Sequence, residues 1–157
     1  MDLFMVGHST RTLEELIRIL QSYEIEILVD VRRFPRSKRV PHFNRANLEQ
    51  ALPEQDIRYS WLGDALGGFR KEGYQEYMKS EEFTKGISHL LSIAEKEQTV
   101  LMCSEKDWSR CHRKEIAEYL MKQGHHVIHI VSETQIYEHK LCDRQPSGDS
   151  QTLDRYL

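Results

Sequence analysis

At 157 residues and a formal net charge of −3, the chain has the size of one domain. A chain of this length buries roughly two-thirds of its unfolded surface, so folding requires neither a disulfide nor a metal. Hydrophobic content of 39% and charged content of 30% exclude a disordered polymer, and apolar runs of no more than four to five residues exclude a membrane-spanning helix.

Three cysteines, an odd number without framework spacing, point to reduced thiols in a cytoplasmic protein. The N-terminus enters an apolar run with no basic segment before it, which argues against a signal peptide. Charge is unevenly placed. Val31 to Leu48 carries Arg32, Arg33, Arg36, Lys38, Arg39 and Arg45 and no Asp or Glu, leaving the rest of the chain acidic. A focused basic loop on an acidic body fits one anionic ligand better than general polyanion coating.

In chain order, Leu3 to Val6 reads as a short buried strand followed by the loop Gly7-His8-Ser9-Thr10. Thr12 and Glu15 form a capping box, and Leu13, Leu16, Ile17 and Leu20 fall on one helical stripe. Ile27 to Val31 is the second strand. The opening is therefore β-loop-α-β, the unit of a parallel sheet with a right-handed crossover. A basic loop with Pro35 and Pro41 follows, then a short helix over 44–52 closed by Pro53, and a weak third strand over 57–61. Four glycines between Leu62 and Gly73 predict irregular backbone. A helical turn is expected over 74–78, and Ser80 caps a longer helix with Phe83, Ile87, Leu90, Leu91 and Ala94 inward.

Thr99 to Cys103 is the fourth strand. Ser109 is expected to cap the next helix, which carries Ile116, Ala117, Leu120 and Met121 inward and stops at Gly124. His126 to Val131 is the fifth strand, 132–141 is expected to be helical, and 142–157 is a polar, loosely held tail. The expectation is a single α/β domain over 1–141. Its fold would be three-layer and Rossmann-like, with a five-stranded, mainly parallel sheet in the order 3-2-1-4-5. Strands one and four would then meet at the switch point. The loops after strands one, two and four would share a crevice, where open α/β sheets bind ligands.

That crevice defines the candidate residues. Arg32, Arg36 and Arg113 follow strand ends, and guanidinium forks match phosphate or carboxylate oxygens; Ser9 and the free N–H groups of the helix opening at Ser109 would add to the same anion site. The bland reading of these arginines is a solvated charge run, which is retained for Lys38 and Arg39.

Glu105, two residues past the fourth strand, reads as a general base or nucleophile, or as the partner orienting Arg113. His8 and His112 would assist it. Asp30 would fix Arg32 or His8. Cys103 at a strand end and Cys111 near a helix start are candidate reactive thiols, against the commoner role of small core residues. The Cys-x5-Arg spacing of phosphocysteine chemistry fails by one position, since six residues separate Cys103 from Arg110. A disulfide between Cys103 and Cys111 is not expected in a reducing cytosol. Cys103, Cys111 and His112 lack the second close pair of a structural zinc site, so no metal is expected. His125, His126, His129 and His139 read as structural or exposed. Trp61, Phe69, Tyr74 and Tyr77 offer a stacking wall for a base, with core packing as the plainer alternative.

Four motifs in order, GHST after strand one, LVDVRRFPRS at strand two, WLGDALGG in the middle and the C-x-E…CHR block, resemble domain-of-unknown-function family 488. The resemblance spans about Leu3 to Ile130. It implies a small prokaryotic-type α/β domain and brings no settled activity. By position it points to Gly7, His8, Ser9, Asp30, Arg32, Pro35, Arg36, Cys103, Glu105, Cys111, His112 and Arg113.

The functional expectation is an enzyme with an arginine-lined, anion-binding crevice, a hydrolase or group transferase on a nucleotide, a nucleic-acid end or another phosphorylated compound. No P-loop, G-x-G-x-x-G or G-x-S-x-G is present, and no cofactor is expected. The alternatives are a non-catalytic nucleic-acid or nucleotide-binding module, and Cys-based redox or sulfur transfer. The partner is an anionic small molecule or a nucleic acid and not a membrane; oligomeric state is left open.

Overall fold

The computed structural model describes residues 1–141, so the tail expected over 142–157 lies outside the described residues. The chain alternates strand and helix. It runs β1 (Asp2–Gly7), α1 (Leu13–Ser22), β2 (Ile27–Asp30), α2 (Arg45–Ala51), β3 (Arg58–Trp61), α3 (Gly63–Leu66), α4 (Tyr74–Tyr77), α5 (Glu81–Ala94), β4 (Thr99–Cys103), α6 (Arg113–Lys122), β5 (His126–Ile130) and β6 (Ile136–Glu138).

Local chemistry sets most of the helix boundaries. The Thr12 hydroxyl accepts from the Glu15 N–H at 3.1 Å and the Glu15 carboxylate accepts from the Thr12 N–H at 2.9 Å, so the capping box starts α1. Ser80 Oγ accepts from the Phe83 N–H at 3.2 Å and starts α5. Gly124, at φ +92°, follows α6 in the left-handed region that a non-Gly residue adopts at a cost.

The sheet has six strands in the order β3-β2-β4-β1-β5-β6, parallel except for β6, which pairs antiparallel to β5. This corrects the expected order 3-2-1-4-5: β4, not β1, lies beside β2. β4 and β1 are the two central strands, both contributing to the cores on both faces, and β4, with all five residues buried, is inserted between β2 and β1. The helix expected over 132–141 is also corrected. The chain turns at Val131–Gln135, with two N–H donors converging on the Gln135 carbonyl, and Ile136–Glu138 returns along the β5 edge with Tyr137 opposite His129.

A core lies on each face of the sheet. Leu16, Ile19 and Leu20 of α1 and Leu48 of α2 pack with Leu28, Val100 and Met102 on one side. Phe83, Ile87 and Leu90 of α5 and Ile116, Ala117 and Leu120 of α6 pack with Met5, Val29 and Leu101 on the other. No helix of the described residues is long and apolar enough to cross a membrane.

Candidate functional site

The C-terminal ends of β1, β2 and β4 are tied together by backbone hydrogen bonds that run past the strands. His8 N–H donates to the Cys103 carbonyl at 2.9 Å, Ser9 N–H to the Ser104 carbonyl at 2.9 Å, and Val31 N–H to the Met102 carbonyl at 3.0 Å. Gly7 makes the closest approach. A Cβ there would stand 1.7 Å from the Glu105 carbonyl oxygen, so only glycine lets the β4 loop cross the end of β1. The three loops expected to converge therefore do.

What they bring together is partly buried and internally satisfied. Asp30 is fully buried and holds Arg32 through two bonds, Nε to Oδ1 at 2.8 Å and Nη2 to Oδ2 at 2.7 Å. The Arg32 backbone N–H also donates to Asp30 Oδ1 at 3.1 Å, and the Tyr59 hydroxyl donates to Oδ2 at 2.5 Å. Arg32 Nη2 also donates to the Phe43 carbonyl at 2.7 Å, and its Nη1 meets His8 Nε2 at 3.3 Å. The guanidinium thus spends its donors inside the protein.

His8 Nδ1 bonds the Ser9 carbonyl at 2.9 Å, which makes Nδ1 the donor and leaves the Nε2 lone pair to Arg32. Burial lowers His8 to about 4, with the Arg32 charge adding to the effect and the Ser9 bond opposing it. His112 is likewise lowered to about 4, by burial and then by the charges of Arg113 and Arg70, against its bond to the Val31 carbonyl at 2.9 Å. Both imidazoles are neutral at pH 7.

The remaining candidates separate. Arg113 is 2% exposed beneath the β4–α6 loop. Cys103 and Cys111 lie beside it as free thiols, Cys103 buried and Cys111 half-buried. Glu105 and Arg36 are exposed at the rim, and Ser9 is half-buried at φ +51°. Ser109 does not cap α6. Its N–H and hydroxyl both donate to Asp107 Oδ1, at 3.0 and 2.6 Å, within a 3-10 turn at Trp108–Arg110, and α6 starts at Arg113 without a side-chain cap. The anion-binding helix start expected at Ser109 is therefore corrected. His129 and His139 are structural, bonded to each other at 2.8 Å, with His139 bonded to Glu118 at 2.5 Å.

The open surface lies next to this locked centre. Phe34, 64% exposed after β2, and Phe69, 82% exposed after β3, face each other with ring centroids 5.8 Å apart. Arg33 binds them together: its guanidinium lies 5.5 Å from the Phe34 centroid and Nη1 donates to the Phe69 carbonyl at 2.6 Å. Phe69 sits at φ +60°, a conformation that bulky residues rarely adopt.

These side chains line a cleft of about 550 Å³ with Arg70 and Lys71, and Glu72 is the one carboxylate among its lining residues. Arg70 is fixed by bonds to the Gly67 and Asp64 carbonyls at 2.9 and 2.6 Å and lies 3.8 Å above the Tyr77 ring. A second hollow of about 490 Å³ at the β3 edge, lined by Arg45, Glu49 and Trp61 among others, is mixed in charge and has no exposed ring pair.

Sequence reasoning named Phe69 as a possible stacking residue but missed Phe34 and the cleft, although a Phe between Arg33 and Pro35 in a polar loop was a usable signal. Tyr74 and Tyr77 pack with the core, their hydroxyls bonded to the Leu66 and Ala65 carbonyls, both at 2.6 Å, and Tyr77 also lines the cleft. Among the described residues, no group of three or more His, Cys, Asp or Glu side chains has the arrangement of a metal site.

No curated protein and no solved structure matches the chain. A family model described as Domain of unknown function DUF488 matches residues 12–120, which contain β2, the Phe34–Phe69 rim, β4 and most of α6. With well over half of its length matched, the chain belongs to the DUF488 family.

Proposed function

We propose that this protein binds single-stranded nucleic acid at the rim formed by Phe34, Phe69, Arg33 and Lys71. The observation that carries the reading is the solvent-exposed phenylalanine pair framed by cations. Exposed aromatic faces stack on bases whatever their sequence, and a line of Lys and Arg follows the phosphates. Arg33, Arg36, Lys38 and Arg39 take part in no ion pair among the described residues, whereas Arg32 and Arg45 are neutralised by Asp30 and Glu49. Four nearby cations with no ion pair among the described residues fit a chain of phosphates better than a single one. We read the fold as a doubly wound, Rossmann-like sheet, and Phe34 follows the C-terminal end of β2, the end of the strands at which such sheets bind ligands. An odd number of cysteines without framework spacing supports a reducing, cytoplasmic setting.

Fluorescence anisotropy with a labelled single-stranded oligonucleotide tests the proposal. Binding is expected to weaken steeply with salt, and Phe34→Ala to cost about 1–3 kcal/mol, roughly 5- to 150-fold in affinity. Salt-insensitive binding, or wild-type affinity in Phe34→Ala, would overturn it.

A second reading places chemistry on the same ligand, with Glu105 as acid/base or nucleophile in a hydrolase or group transferase. It is favoured by the Gly7 contact, which fixes the Glu105 backbone at this edge while its side chain stays exposed. In the same assay the oligonucleotide should then be converted by the wild type and bound but not converted by Glu105→Gln. An oligonucleotide that stays intact, or full turnover in the variant, removes the catalytic reading and leaves the binding one.

A further inference from the structure

Two sulfur atoms meet at the end of β4. Cys103 ends β4, Cys111 precedes α6, and the loop between them folds back through the Trp108–Arg110 turn so that the two Sγ atoms stand 3.2 Å apart. A disulfide bond of about 2.05 Å is one small side-chain movement away.

A second, independent feature lies against the pair. Arg113 is almost fully buried, and only its Nη2 finds a partner, the Lys106 carbonyl at 3.2 Å. Its Nε and Nη1 are buried with no hydrogen-bond partner among the described residues. A buried guanidinium without a counter-charge is costly, and the sulfur pair can supply one. The Arg113 backbone N–H already donates to Cys111 Sγ at 3.3 Å. The hydrogen bond from the Cys111 thiol, and then the Arg113 charge, bring Cys103 down to about 7 against the opposing effect of burial, while Cys111 is raised by the same hydrogen bond. The arrangement favours the thiolate form at Cys103, with the Cys111 thiol bonded to it and the Arg113 cation behind it. Thiolate character beside a cation favours reaction, and the half-buried Cys111 next to the 1%-exposed Cys103 is where a small oxidant reaches the pair.

We propose that Cys103 and Cys111 are a reactive thiol pair that hydrogen peroxide closes to a disulfide and a dithiol reopens. The Cys103 thiolate attacks one peroxide oxygen. The S–O bond forms, the O–O bond breaks, and the departing hydroxide takes a proton from solvent and leaves as water. The Cys111 sulfur then attacks the Cys103 sulfur. The S–S bond forms, the S–O bond breaks, and the Cys111 proton leaves with the second hydroxide as water. Two thiol–disulfide exchanges with a dithiol reverse the change. The half-buried Cys111 is the side of the pair that meets solvent. Closure ties the end of β4 to the start of α6 and so fixes the loop carrying Glu105. The inference stands independently of nucleic-acid binding.

The test treats the full-length protein with a small excess of hydrogen peroxide near neutral pH, blocks remaining thiols with iodoacetamide, and maps peptides by mass. The expected result is loss of two hydrogen atoms, a Cys103–Cys111 link, and full reversal by dithiothreitol. Cys142→Ser should behave identically. Cys111→Ser should instead trap a sulfenic acid at Cys103 that dimedone labels, and Cys103→Ser should give neither product. Thiols unchanged in peroxide, or a link made through Cys142, would overturn the proposal.

Discussion

Phe69 holds its ring in solvent and its backbone at φ +60°, and neither is explained by stability. Exposure forgoes the burial energy of a large apolar side chain, and the left-handed conformation costs on the order of 1–2 kcal/mol for a non-Gly residue. The Arg33 bond to its carbonyl helps to hold the strained turn in place. Such strain is characteristic of residues kept for a ligand. Phe69→Gly separates the two roles. Thermal unfolding should show stability unchanged or raised by about 1 kcal/mol, while affinity for the single-stranded oligonucleotide falls. A variant that binds normally would remove Phe69 from the interface. His8, Asp30 and Arg32 show the opposite design. They are buried, mutually bonded and committed to holding the loops after β1 and β2 in register.

At the scale of elements, β4 organises the site because it lies between β2 and β1 and gives its last carbonyls to the loops of both. The β4 loop reaches that position only across Gly7. Gly7→Ala would drive a methyl group into the Glu105 backbone and is expected to destabilise the fold by about 3 kcal/mol, with overpacking typically costing 1–3 kcal/mol or more. Urea denaturation measures this, and a variant as stable as the wild type would show that the loop can move aside. At the far edge, β6 is only three residues long and its Ile136 is exposed, and Lys140 follows closely. A short edge strand with a nearby charge resists pairing with another chain.

For the molecule as a whole, the buried histidines set the response to acid. His8 and His112 are held at about 4 in the folded protein and return to about 6.5 when it unfolds. Between those values the unfolded chain binds the extra protons. The stability these neutral imidazoles contribute is therefore complete above pH 6.5 and is lost as pH falls through 4, on the order of 3 kcal/mol for each. Urea midpoints should drop steeply from pH 7 to pH 4.5, and His112→Gln should flatten the slope. A pH-independent midpoint over that range would contradict the burial of these rings.

Much of this was legible in the sequence, for identifiable reasons. The capping box at Thr12, the cap at Ser80 and the stop at Gly124 are local chemistry, readable from neighbouring residues. Apolar runs placed the first five strands, and polar residues after them located the convergent loops. Local pattern could not say whether β1 or β4 lies beside β2, because both are short apolar runs that contribute to both cores, and the order depends on pairing between strands distant in the chain. Nor could it distinguish a helix from a turn and edge strand over 132–141, where the deciding partner is β5. Charge pattern found the basic loop, but only tertiary structure showed that Arg32 is spent on Asp30 while Arg33 is left to frame two exposed rings. Sequence by itself determined the alternation of elements, the edge of the sheet that carries the polar groups, and the family. Tertiary structure decided which of those groups face solvent and which satisfy one another, because burial and pairing depend on residues distant in the chain.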